Sequence, residues 1–154
     1  MMEVGYLGNI DLLKQHKTAF LCSRTVGSRA VMCCYDWATK MIETNTTVIG
    51  GFQSKIEKDV LYFLLKGNLS IILVIARRMY KELPDELCAA MQAERLLIIS
   101  TAPKAVRVSK GAANTRNKYI AEIADDIVFG YINKDSYLNI IYDRYKIKSK
   151  LLSK

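Results

Sequence analysis

One histidine, no paired-cysteine motif and no long apolar run set the first limits on this chain of 154 residues. His16 stands alone between Gln15 and Lys17, ahead of the first strand pattern, so neither a Ser-His-Asp arrangement nor a His-built metal site can form around it. The four cysteines, Cys22, Cys33, Cys34 and Cys88, make no C-x-x-C pair and no Cys/His group, which speaks against a structural zinc and for buried, reduced thiols. The longest apolar runs, 71–76 and 96–99, fall well short of the ~20 residues a spanning helix needs. Residues 1–17 carry acids and lack a secretory-type apolar stretch, so a cytoplasmic protein without membrane contact is expected. Also missing are the G-x-G-x-x-G turn of nicotinamide and flavin sites, the G-x-x-x-x-G-K-[ST] loop of nucleoside triphosphatases and the G-x-S-x-G nucleophile turn. No cofactor is implied, and no catalytic residue stands out.

What remains is apolar and basic. With 51% apolar residues the chain can bury a core without a metal or disulfide, and residues 1–154 are expected to form one domain. The net charge of +8 favours polyanionic partners. Its distribution is uneven: Lys104, Arg107, Lys110, Arg116 and Lys118 follow one another with no acid among them. A second basic stretch runs from Lys134 to the end, where residues 136–154 read as a C-terminal helix and tail.

Short β-branched or apolar runs alternate with helical patterns, the signature of parallel strands joined by crossover helices. Strands are predicted at 18–22, 46–49, 71–75, 96–100 and 126–132, giving a mostly parallel sheet of about five strands. Helices are predicted at 29–42, 54–66, 83–93, 115–124 and 136–148. In the first, Val31, Tyr35, Ala38 and Met41 or Ile42 share one face. Ser54 and Glu57 have capping-box spacing at the start of the second. Pro84 suits the first turn of the third. Residues 101–114 show no period and read as a long loop.

In such a sheet ligands bind beyond the carboxyl ends of the strands. Three loops fall there: Ser23-Arg24, Gly50-Gly51 and the basic stretch around Lys110. Each can offer backbone N–H groups at a helix start, and the basic ones add charge-assisted hydrogen bonds, so a phosphate is the natural guest. Plainer roles stand beside these. A tight turn needs Gly50 and Gly51 with or without a ligand, Arg24 can pair with a surface carboxylate, and Asn117 can cap a helix.

Read in order, these segments resemble the DNA-processing protein A (DprA/Smf) family. Its Gly-led acidic and apolar opening, strand and Gly-Ser-Arg are similar to Gly8-Asn9-Ile10-Asp11-Leu12-Leu13, residues 17–21 and Cys22-Ser23-Arg24. Its Ser-Gly-Leu-Ala-Arg-Gly-Ile-Asp segment is similar to Gly50-Gly51-Phe52-Gln53-Ser54-Lys55-Ile56-Glu57. Its basic-Gly, Phe-Pro, Arg-Asn-Arg and Ile-Ala stretch is similar to Lys110-Gly111, Ala113-Asn114, Arg116-Asn117-Lys118 and Ile120-Ala121 before Asp125. The match spans residues 6–142.

The resemblance implies a Rossmann-like three-layer α/β/α domain that binds single-stranded DNA without catalysis, serves a RecA-type recombinase during DNA uptake, and pairs as a homodimer. Carried over by position, Ser23 and Arg24 sit at a phosphate pocket, Gly50 and Gly51 let backbone approach the ligand, and Lys110, Gly111, Arg116, Asn117 and Lys118 form its basic wall. The chain departs from the pattern at Cys22, in place of Gly, at Ser54-Lys55, in place of Arg-Gly, and at Ala113, in place of an aromatic residue. A lost base stack is worth about 1–3 kcal/mol. That departure motivates a second reading, a sensor of a nucleotide or nucleotide-derived ligand. A nucleoside-monophosphate phosphoribohydrolase of the same fold group ranks lower, because its Pro-Gly-Gly-x-Gly-Thr loop and catalytic Glu have no matching counterpart here.

Overall fold

Apolar β-rich segments with both faces covered form the centre of the molecule. In the computed structural model, which describes residues 2–153, strands β2 (Lys17–Leu21), β4 (Ile71–Ile75) and β5 (Leu96–Ser100) are buried at every position. Met1 and Lys154, the ends of the expected domain and tail, lie outside the described residues. β1 (Gly5–Gly8), β3 (Thr47–Gly50), β6 (Asp126–Phe129) and β7 (Ser149–Leu151) complete one sheet in the order β1-β5-β4-β3-β2-β6-β7. Only β1 runs antiparallel to its neighbour, with Gly5 opposite Ser100 and Gly8 opposite Leu97.

The helices divide between the two faces. α1 (Ser28–Met41), α2 (Lys55–Leu65) and α3 (Asp85–Gln92) cover one side, packing Cys34, Ala38, Val60, Leu64 and Leu87 onto Phe20, Val48, Ile71 and Ile98. α4 (Lys110–Ile123) and α5 (Leu138–Arg144) cover the other, packing Ile120, Ala121, Leu138 and Ile141 onto Ala19, Ile49, Ile72, Leu97 and Phe129. Alternation along each strand makes this possible, since neighbouring residues face opposite layers. Burying each large aliphatic side chain contributes about 1.5–3 kcal/mol.

The α/β/α layering is as expected, but the sheet has seven strands, not about five. Both additions are edge strands. β1 is short, mostly exposed and bounded by glycines, so it carries no hydrophobic alternation. Gly8 leaves it at φ 110°, where a Cβ would run into the Leu96 carbonyl. β7 lies in the lysine-rich tail and is held by β6, with Ile127 opposite Ser149 and Phe129 opposite Leu151. The expected last helix, 136–148, is likewise broken into α5 and a 3-10 turn, Lys146–Lys148.

The loop expected over 101–114 also ends early. α4 starts at Lys110, where the Ser109 hydroxyl accepts a hydrogen bond from the Ala112 N–H at 3.0 Å. Gly111 and the small and polar residues after it hide this first turn from a hydrophobic period.

Candidate functional site

Strand order reverses beside β2. From β2 to β5 the chain steps one way across the sheet, then α4 returns it over the opposite face to lay β6 against the other side of β2. The loops leaving β2 and β6 therefore part toward opposite faces and open a crevice. A cavity of about 480 Å³ occupies it, formed by the loops after β2, β3 and β6 and by the first turns of α4.

One carboxylate fixes the floor. Glu57, in the first turn of α2, is buried, and its Oε1 accepts hydrogen bonds from the Gln53 and Ser54 N–H groups while Oε2 accepts one from Cys22, each at 3.2 Å. The Ser54 hydroxyl accepts the Glu57 N–H in return, closing the capping box foreseen from the spacing. The carboxylate thus ties the end of β2 to the start of α2. The backbone N–H groups expected to be free in this loop are occupied at Gln53 and Ser54.

Arg116 lies beside this knot. Only 5% of it is exposed; burial lowers the pKa of its guanidinium, and the Glu57 charge opposes that shift. Nη1 donates to Gln53 Oε1 at 2.6 Å and Nε donates to Asn117 Oδ1 at 3.1 Å. A guanidinium has donors only, so both amide oxygens must face it, and both NH₂ groups must turn away. Gln53 and Asn117 both line the cavity, as does Arg116.

Ser23 closes the side nearest β6. Its N–H donates to the Tyr131 carbonyl at 2.9 Å and its hydroxyl accepts the Asn133 N–H at 2.8 Å, bridging the two diverging loops. Arg24 and Lys110 are exposed on the rim, and no ion pair among the described residues engages either. Asp135 lines the same hollow and is likewise exposed.

Ser23, Arg24, Lys110, Arg116 and Asn117 thus surround one hollow; Gly50, Gly51, Gly111 and Lys118 do not line it. Gly50 is packed under the Phe52 ring, and a Cβ on Gly51 would lie 2.7 Å from the Arg116 guanidinium. The close approach that needs Gly51 is therefore that of Arg116. Gly111 faces open space, and Lys118 is exposed farther along α4. Sequence reasoning passed over Gln53 and Asn114 and gave Glu57 a capping role alone. The capping-box spacing and the acid that ends the resembling segment signalled Glu57, whereas Gln53 and Asn114 fall in resembling segments without matching a motif residue.

Cys22 lines the cavity with its thiol turned toward Cys34 and Gly130. Its hydrogen bond with Cys34, together with burial, pushes the Cys22 thiol far above the ordinary range, so it stays protonated. Among the described residues no group of three or more His, Cys, Asp or Glu side chains could hold a metal ion, and no helix is long and apolar enough to cross a membrane.

A family model described as DNA recombination-mediator protein A matches residues 3–136. The chain belongs to that family. Two solved structures of DNA processing protein A share its fold. The Helicobacter pylori protein, described as binding single-stranded DNA, superposes with a TM-score of 0.74 at 15% identity over 96% of this chain and 70% of its own. The Streptococcus pneumoniae protein gives 0.75 at 19% over 96% of this chain, which spans 53% of it. A molybdenum cofactor binding protein from Rippkaea orientalis is more distant, at 0.55 and 8% identity, covering 89% of this chain and 88% of its own. At these identities the likeness establishes the fold. No curated protein sequence matches the chain.

Proposed function

We propose that this DNA recombination-mediator family member binds single-stranded DNA, without catalysis, by holding phosphate in the crevice between the β2 and β6 loops. The observation that carries the reading is the composition of the wall. Arg24 and Lys110 stand on its rim with no ion pair among the described residues, and Arg116, Gln53 and Asn117, hydrogen-bonded to one another, line a space of about 480 Å³. Such a wall suits an oxyanion, and the net charge of +8 adds long-range attraction. In the same reading Ser23 orders the rim, and the strand is passed to a RecA-type recombinase, which co-sedimentation of a three-component mixture checks.

Fluorescence anisotropy with a labelled oligothymidine tests the binding. The expected result is affinity that falls as salt rises, with a log–log slope of about −0.7 per phosphate contacted. Absence of binding at low salt would sink the proposal.

One observation favours a second reading, a nucleotide sensor: Ala113, at the position of an aromatic in the family pattern, lines the cavity and offers no stacking surface. Thermal stabilisation by a mononucleotide with none from an oligonucleotide would select it.

A further inference from the structure

A second hollow, of about 340 Å³, adjoins the first and shares Ser23, Arg24, Asp135 and Ser136 with it. Asn133 and Lys134 complete its lining. Arg24 therefore belongs to both spaces. The first has the volume of a small-ligand site, which typically spans about 300–1,000 Å³, so it has room for a nucleotide but none for a length of strand. A chain of linked nucleotides held there must leave across the rim.

The segment that bounds the second hollow is held in shape before any ligand arrives. The Asn139 side-chain NH₂ lies 2.9, 3.0 and 3.0 Å from the carbonyls of Asn133, Lys134 and Ser136, its two hydrogens shared among the three. The Ser136 N–H donates to the Asn133 carbonyl at 3.0 Å, and the Ser136 hydroxyl accepts the Leu138 N–H at 3.1 Å. The Asn133 N–H is bound to Ser23, which registers this turn against the β2 loop. Lys134 is exposed at the turn, and no ion pair among the described residues engages its ammonium. Fixing a binding loop in advance removes the ordering cost that a mobile one would add.

We infer that this second hollow is a subsite for the neighbouring nucleotide of a single strand, with the linking phosphate on Arg24 and the next phosphate on Lys134. Asp135, facing both spaces, limits the attraction for lone anions and leaves the advantage to a ligand that engages both cations at once. The inference rests on the single-strand reading above. It adds that the ligand is recognised as a linked chain of at least two nucleotides.

The test compares thymidine 5′-monophosphate with a short oligothymidine on the full chain, by calorimetry at low salt, for the unaltered protein and for Lys134→Glu. The unaltered protein should bind the oligonucleotide more tightly than the mononucleotide. Lys134→Glu should weaken the oligonucleotide about three- to tenfold, as expected for one exposed charge contact, and lower the magnitude of its salt slope by about 0.7. Mononucleotide affinity should stay unchanged. Equal affinity for the two ligands, an unaltered oligonucleotide affinity in the variant, or equal weakening of both ligands would each overturn the subsite while leaving the single-strand reading in place. A protein that binds neither ligand removes both. Charge reversal at Lys104 and Arg107 is the companion variant; if it weakens the oligonucleotide and Lys134→Glu does not, the strand leaves across the β5–α4 loop and the inference is wrong.

Discussion

Arg116 reads in the sequence as one more cation of a basic run, and its surroundings give it another task. It is buried and hydrogen-bonded to Gln53 and Asn117, so in the proposed reading it serves the ligand through the amides it orients. Gln53→Glu separates that role from simple support. A glutamate keeps, and strengthens, the contact to the guanidinium, but puts a carboxylate oxygen in place of an NH₂ on a side chain that lines the cavity. The expected outcome is an unchanged or higher melting temperature with single-strand affinity lowered tenfold or more, about 1.4 kcal/mol or beyond. A variant whose affinity follows its stability would show that the amide only fills space. Gly51 carries the same lesson: the glycine was legible, but the neighbour that requires it sits 65 positions away in the numbering from Gly51 to Arg116.

Among the elements, β2 is the one on which the others converge, and its start is held by charge. The Asp125 carboxylate, between α4 and β6, accepts the Lys17 N–H at 2.7 Å and lies 3.6 Å from the Lys17 ammonium and 4.0 Å from His16. The backbone hydrogen bond, with Lys17 and His16 adding to it, lowers the pKa of this carboxyl. A carboxyl whose folded-state pKa is depressed contributes stability that is present above its unfolded value, about 4, and is lost as pH falls through the folded value. Asp125→Asn should therefore lower the melting temperature at neutral pH and flatten its decline between roughly pH 5 and pH 3. Melting curves across that range check it, and parallel declines in the two proteins would count against the clamp.

The legibility of the elements followed the same physics. β4 and β5 were placed at their observed bounds because strands covered on both faces read as unbroken apolar runs. β1 and β7 escaped notice because edge strands gain their order from a partner and carry little pattern of their own. The first turn of α4 was hidden because its stability comes from the Ser109 cap and from lying against the crevice, with no apolar stripe there to announce it. The rim itself was legible as far as topology dictates it. What lay beyond reach was the set of cross-loop hydrogen bonds made by Glu57, Gln53 and Asn133.

For the molecule as a whole, the stabilising core and the candidate site lie in different places. The strands meet the helices through fully buried side chains such as Ile98, which belongs to the layer covered by α1, α2 and α3 and lines neither hollow. Ile98→Ala should cost about 2–5 kcal/mol, seen in a urea titration, while the single-strand affinity and its salt slope remain those of the unaltered protein under folding conditions. A changed slope would mean that the charged rim senses packing at the far side of the sheet.

The bond from the Asn133 N–H to the Ser23 hydroxyl joins residues 110 positions apart, across the place where the β2 and β6 loops diverge. No fragment limited to the leading βαβα units can contain it. Whatever occupies the space beside that bond would meet a receptor assembled only once the stretch after β6 has docked on the end of β2, so occupancy and folding are linked, and a guest would steady the entire protein in proportion to how tightly it is held.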